Sequence, residues 1–173
     1  EKISIGDPGL MGTPHLTVLI LERAAGVKFA SVHFAGGAPA VTALLGGHVN
    51  AVVVGLADAA AQLKSRDLRS PAVAGDRESE FLPGVPTMRS LGYDVVSINS
   101  GGVVAPAGTP KEIVEILTKA IKKIVESDEH KKNLATFGVS NYYLNAERYS
   151  ALWVDYENRF GPLLKTVRAF QPK

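Results

Sequence analysis

A glycine-rich turn sits between two apolar runs near the start of the chain. The turn reads Gly6-Asp7-Pro8-Gly9-Leu10-Met11-Gly12-Thr13-Pro14-His15-Leu16. Ile3-Ser4-Ile5 before it reads as a strand, and Leu16 to Ala25 after it reads as a buried helix closed by Gly26. The stretch is therefore a strand-to-helix turn. Thr13 is expected at the N-cap, where its hydroxyl accepts a hydrogen bond from a free N–H of the first turn. Pro14 is expected at the first helical position, where no N–H is needed. Glycines let a guest approach the backbone closely, and a helix start offers free N–H groups and the positive end of a dipole. The turn is expected to form one wall of a small-anion site. Its spacing matches neither a dinucleotide fingerprint nor a Walker A loop.

The same unit recurs. Val27 to Phe34 alternates as a second strand, and Ala35-Gly36-Gly37-Ala38-Pro39 turns into a helix over Ala40 to Leu45, ended by Gly46-Gly47. Pro39 suits the first helical position. Val49 to Val54 is a continuous apolar strand, broken only by Asn50, expected to be buried on both faces. Gly55-Leu56-Ala57 then opens a helix with Asp58 in its first turn. Repeated strand, turn and helix imply an α/β fold with a mainly parallel sheet flanked by helices. In such sheets ligands bind beyond the carboxyl ends of the strands, where all three glycine turns must lie.

Beyond Ala74 the pattern changes. Pro71 to Gly75, Tyr93 to Ile98 and Gly102 to Ala105 read as short strands. Thr109-Pro110-Lys111-Glu112 carries helix-start chemistry, with Thr109 as N-cap. Ile113, Val114, Leu117, Ile121, Ile124 and Val125 then line one face. A helix over Asp128 to Phe137 stops at Gly138, and a last helix is capped by Asn145, with Pro162 near its end.

Composition narrows the function. A net charge of +2 with scattered Lys and Arg gives no basic patch for nucleic acid. With no cysteine there is no disulfide, thiolate metal site or Cys nucleophile. His15, His33, His48 and His130 show no metal-ligand spacing, so no metal and no cofactor is expected. There is no Gly-x-Ser-x-Gly elbow and no motif-placed carboxylate pair, so no catalytic residue is assigned.

The chain resembles the Bug-type periplasmic substrate-binding proteins of tripartite tricarboxylate transporters. Five segments carry the likeness: Gly6 to Leu16; Val32 to Ala40 with Thr42 to Asn50; Leu68 to Gly75; Leu82 to Thr87 with Leu91-Gly92-Tyr93; and Ala105 to Pro110 with Glu112-Ile113-Val114. The chain departs from the family pattern at Phe34 and Ala35, where a Tyr and a Lys are usual, and at Asn50, where an Asp is usual. The resemblance implies a type II-like periplasmic-binding-protein lobe over 1–104. The crossover and C-terminal helices over 105–173 would complete the first, partner lobe or pack on the sheet. It implies a periplasmic, hinge-closing receptor that holds a small carboxylate between lobes and delivers it to membrane permease subunits.

The residues carried over as ligand contacts are Gly12, Thr13 and His15 on the first turn and Ala35, Gly36 and Gly37 on the second. Gly55 on the third joins them from geometry alone. Each has a plainer role: Thr13 as a cap, His15 as a packed ring, Gly36 and Gly37 as turn-formers. Asp58 is expected to complement its own helix dipole. Two other classes stay open, the ligand-sensing domain of a transcriptional regulator and a small hydrolase or transferase. Family members carry a further lobe segment upstream, which nothing in this chain resembles. Since the first residue is Glu1 rather than Met, the expectation is that an upstream part has been removed, is disordered or was lost. Its apolar helix faces would then be covered by homodimerisation.

Overall fold

The structure, a computed structural model, describes residues 2–168. They form two compact units, one comprising residues 2–99 together with 163–168, the other residues 100–162.

The first unit is built on a three-stranded parallel sheet of order β2-β1-β3, with β1 over Ser4–Asp7, β2 over Ala30–His33 and β3 over Ala51–Val52. Helix α1 (Thr13–Ala25) joins β1 to β2, α2 (Gly37–Leu45) joins β2 to β3, and α3 (Leu56–Ser65) follows β3. Because β2 and β3 flank β1 on opposite sides, right-handed crossovers carry α1 and α2 to opposite faces of the sheet. The central strand β1 is accordingly the deepest, with Ile5, Gly6 and Asp7 all buried. Val18 of α1 and Ala40, Val41 and Ala43 of α2 complete the core around it.

Polar groups tie the ends of the strands. Asn50, just before β3, accepts from both the amide (2.9 Å) and the hydroxyl (2.8 Å) of Ser4, so a residue inside an apolar run sets the start of the β1–β3 pairing. At the α1–β2 turn the buried Glu22 carboxylate accepts from the Phe29 amide (2.8 Å) and the Lys28 ammonium (2.7 Å).

Several expectations are corrected. Thr13 is the first helical residue, not the N-cap. Gly12 takes the extended cap conformation (φ −72°, ψ 164°), and its carbonyl accepts from Leu16 N–H. Gly36, at φ 133°, starts α2 three residues before Pro39, because only glycine reaches that conformation cheaply. Proline is tolerated at the third position since that N–H has no intrahelical acceptor anyway. Strand β3 is half-buried rather than buried on both faces, because it has one strand neighbour. Of the strand expected at Pro71 to Gly75, one parallel bridge remains, Val73 to Thr87. Neither Tyr93 to Ile98 nor Gly102 to Ala105 is a strand.

The second unit holds α4 (Lys111–Val125), α5 (Asp128–Thr136) and most of α6 (Ala146–Arg168). Thr109 does not cap α4. Its amide and hydroxyl both bond the Pro106 carbonyl, closing a tight turn at Gly108, and Pro110 takes the cap position. Asn145 caps α6 as expected, accepting from the Arg148 amide at 2.9 Å. Helix α6 runs through Pro162 rather than ending there. The apolar face of α4 is largely open, with Ile113, Leu117 and Ile124 all exposed.

Val18 is fully enclosed. Val18→Ala should lower the unfolding free energy of the first unit by about 2 kcal/mol, from lost transfer energy plus a residual cavity. Urea titration followed by far-UV circular dichroism measures it.

Candidate functional site

The three βα turns open at the carboxyl edge of the parallel sheet. The order β2-β1-β3 makes that edge a switch point, since the chain leaves β1 toward one neighbour and returns to the other side. Gly12, Thr13 and His15 lie on the first turn, Ala35, Gly36 and Gly37 on the second, and Gly55, the N-cap of α3, on the third. All seven residues singled out from the sequence thus sit on the same edge.

Three titratable side chains meet there. Asp7 ends β1 and His33 ends β2, and the parallel register pairs the two residues directly. The Asp7 carboxylate has no solvent exposure, and its oxygens lie 3.0 and 2.9 Å from His33 Nδ1. One of these oxygens also accepts from the Gly9 amide at 3.0 Å. The buried ring of His15 meets the His33 ring edge-on, centroids 4.6 Å apart. His15 Nδ1 accepts from the Met11 amide at 3.0 Å, in a turn where Met11 takes the left-handed conformation, φ 66°.

That last bond fixes a tautomer. A ring nitrogen that accepts from an N–H carries no proton, so neutral His15 is protonated on Nε2. Burial pushes the His15 pKa below 6.5. The Asp7 carboxylate pulls it upward, His33 pushes it further down, and Glu22 pulls it up. Burial wins.

Asp7, His15 and His33 offer ligand atoms within 4.8 Å of one another, the usual donor set for a divalent metal. The Nδ1 lone pair of His15 is already committed, however. Binding through His15 Nε2 would require a proton on Nδ1, facing the Met11 N–H. Binding through Nδ1 would strip that amide of its acceptor. The cluster is arranged as a hydrogen-bonded Asp–His pair beside a neutral imidazole.

The helix starts add donors. Of the first four N–H groups at the α1 start, that of Gly12 is bonded to Gly9 and Pro14 has none, which leaves those of Thr13 and His15 without an intrahelical acceptor. The start of α2 is occupied differently. The Asp58 carboxylate lies against Gly37 so closely that a Cβ there would overlap it. Asp58 therefore serves the start of α2 as well as its own helix.

Asp7 and His33 were not among the residues singled out from the sequence. From sequence the first strand ends at Ile5 and the second at Phe34, so neither residue marks a strand end, and they become a pair only once β1 and β2 are known to be neighbours in this register.

The tripartite tricarboxylate transporter family receptor model matches residues 1–168. The chain belongs to this family. A relative from Cupriavidus necator, the UPF0065 protein in the gbd 5′ region, is 36% identical over 152 residues, covering 86% of this chain and 45% of the relative. A TctC solute binding protein from Polaromonas, solved without ligand, superposes with a TM-score of 0.82 at 31% identity, over 95% of this chain and 57% of that one. A Rhodopseudomonas palustris protein solved with adipate shares the fold, with a TM-score of 0.70 at 24% identity over 93% of this chain and 56% of that one. The chain thus spans about half the length of these relatives. The fold is that of the type II-like periplasmic binding proteins, and the family consists of solute receptors rather than enzymes. Among the described residues no helix is long and apolar enough to cross a membrane.

The sign of the His15 shift gives a pH prediction. Its native pKa lies below its unfolded value, so the unfolded chain binds more protons between the two. Stability should be full above 6.5 and fall as pH drops through 6.5 toward the native pKa. Urea midpoints measured across this range should slope downward on acidification in the wild type, and His15→Gln should flatten that slope.

Proposed function

We propose that this chain supplies the second lobe, over 1–104, and the crossover and C-terminal helices, over 105–173, of a periplasmic two-lobed receptor. The receptor captures a small carboxylate and hands it to the permease subunits of a tripartite tricarboxylate-type transporter. The observation that carries this reading is the family match over residues 1–168. The sheet edge supports it. The N–H groups of Thr13 and His15 at the start of α1, which have no intrahelical acceptor, are suited to carboxylate oxygens, directly or through water, whereas the start of α2 already faces the Asp58 carboxylate. Gly12, Thr13, His15, Ala35, Gly36, Gly37 and Gly55 form this lobe's share of the site.

A carboxylate that binds only the native state must raise the melting temperature, since ligand at a hundred times its Kd adds about 2.7 kcal/mol. Adipate, malate and citrate at millimolar concentration should give a saturable shift of a few degrees for at least one of them, without consumption of the ligand. No shift across a broad carboxylate panel would falsify the receptor reading.

The open apolar face of α4 pairs with a second copy when this chain is alone, because a stripe bearing Ile113, Leu117 and Ile124 is costly to leave in water. Light scattering should give the dimer mass at high concentration, and Leu117→Glu should restore the monomer.

A further inference from the structure

We propose that His33 is a ligand-facing group of the carboxylate site, held in place by the buried Asp7 carboxylate, and that capture of an anion there adds a proton at its Nε2. This inference rests on the receptor reading above. Four observations carry it. The Asp7 carboxylate is wholly buried, and besides the Gly9 amide its recorded partner is His33 Nδ1. A charge removed from water in this way needs an opposite charge or strong donors. The bond to Asp7 puts the first imidazole proton on Nδ1, so any second proton must sit on Nε2. Nε2 makes no hydrogen bond among the described residues, and the His33 side chain keeps 32% of its exposure. Finally, His33 ends β2 at the mouth of the second glycine turn, on the edge where the N–H groups of Thr13 and His15 have no intrahelical acceptor.

The titratable groups facing the ring are Asp7 from β1 and His15 from α1, with Glu22 acting on His15 from further along that helix. Neutral His15 adds no repulsion to a proton arriving on His33. An incoming carboxylate does the opposite of repulsion. Nε2 of His33 gains a proton from solvent as the anion arrives, and the new Nε2–H donates to a carboxylate oxygen. No covalent bond to the ligand forms. Asp7 touches no ligand and is a positioning residue.

The test is calorimetric titration of the complete protein with adipate, malate and citrate at pH 6.5 and 8.5, each in two buffers of different ionisation heat. The wild type should bind about fivefold or more weakly at the higher pH, with net proton uptake. His33→Gln should weaken binding about tenfold at pH 6.5 and abolish both the pH dependence and the proton uptake. Asp7→Asn keeps an acceptor for Gly9 and leaves His33 in place, so it should remain folded by circular dichroism yet lose the pH dependence. If the wild type binds a carboxylate equally at both pH values, or His33→Gln binds as the wild type does, this inference is overturned while the receptor reading stands. If no member of a broad carboxylate panel binds, both fall. If Zn²⁺ alone stabilises the wild type and not His33→Gln, the cluster is a metal centre and the inference is likewise overturned.

Discussion

A carboxylate with no contact with water is among the costlier things a small α/β unit can contain, and Asp7 is one. Its position explains much of what surrounds it. It ends the central strand, the most enclosed part of the sheet, and is tolerated because the parallel register brings His33 to its side and the following turn folds the Gly9 amide back onto it. The turn then continues through a left-handed Met11, whose amide finds His15. Strand pairing, turn conformation and imidazole tautomer thus form one connected arrangement, in which the loss of any member leaves a buried polar group without its partner.

Much of this unit could be read from the chain. The alternation of apolar runs with glycine turns identified the parallel sheet and its helices, because period and turn chemistry act locally. The helix starts were located to within three residues, and the errors share a cause. At Thr13, Pro39 and Thr109 the side-chain preference was outweighed by a neighbour: Gly12 in the extended cap conformation, Gly36 at a φ open mainly to glycine, and a Pro106 carbonyl that claimed Thr109. The short apolar segments from Pro71 onward do not form regular strands. Short apolar segments take strand form only where a partner strand lies alongside, and Val73 alone keeps one, through Thr87.

The candidate site was legible in outline and not in its chemistry. Glycine turns announced the edge, but the Asp7–His33 pair depends on β1 and β2 being neighbours, 26 residues apart in sequence. No local pattern encodes that. The same limit applies to Asn50, which looked like an interruption of an apolar strand and proves to be what holds the start of β1.

The closeness of Asp58 to Gly37 reaches beyond this one molecule. The first turns of α2 and α3 share a single carboxylate, and it fits only because position 37 has no side chain. Positions 37 and 58 are therefore not free to drift separately. A lineage that acquires a Cβ at 37 must first shorten or turn away the residue at 58, and one that loses the acid at 58 releases 37 from its need for glycine. Among descendants of this chain the two positions should be inherited as one character, although 20 residues of sequence lie between them.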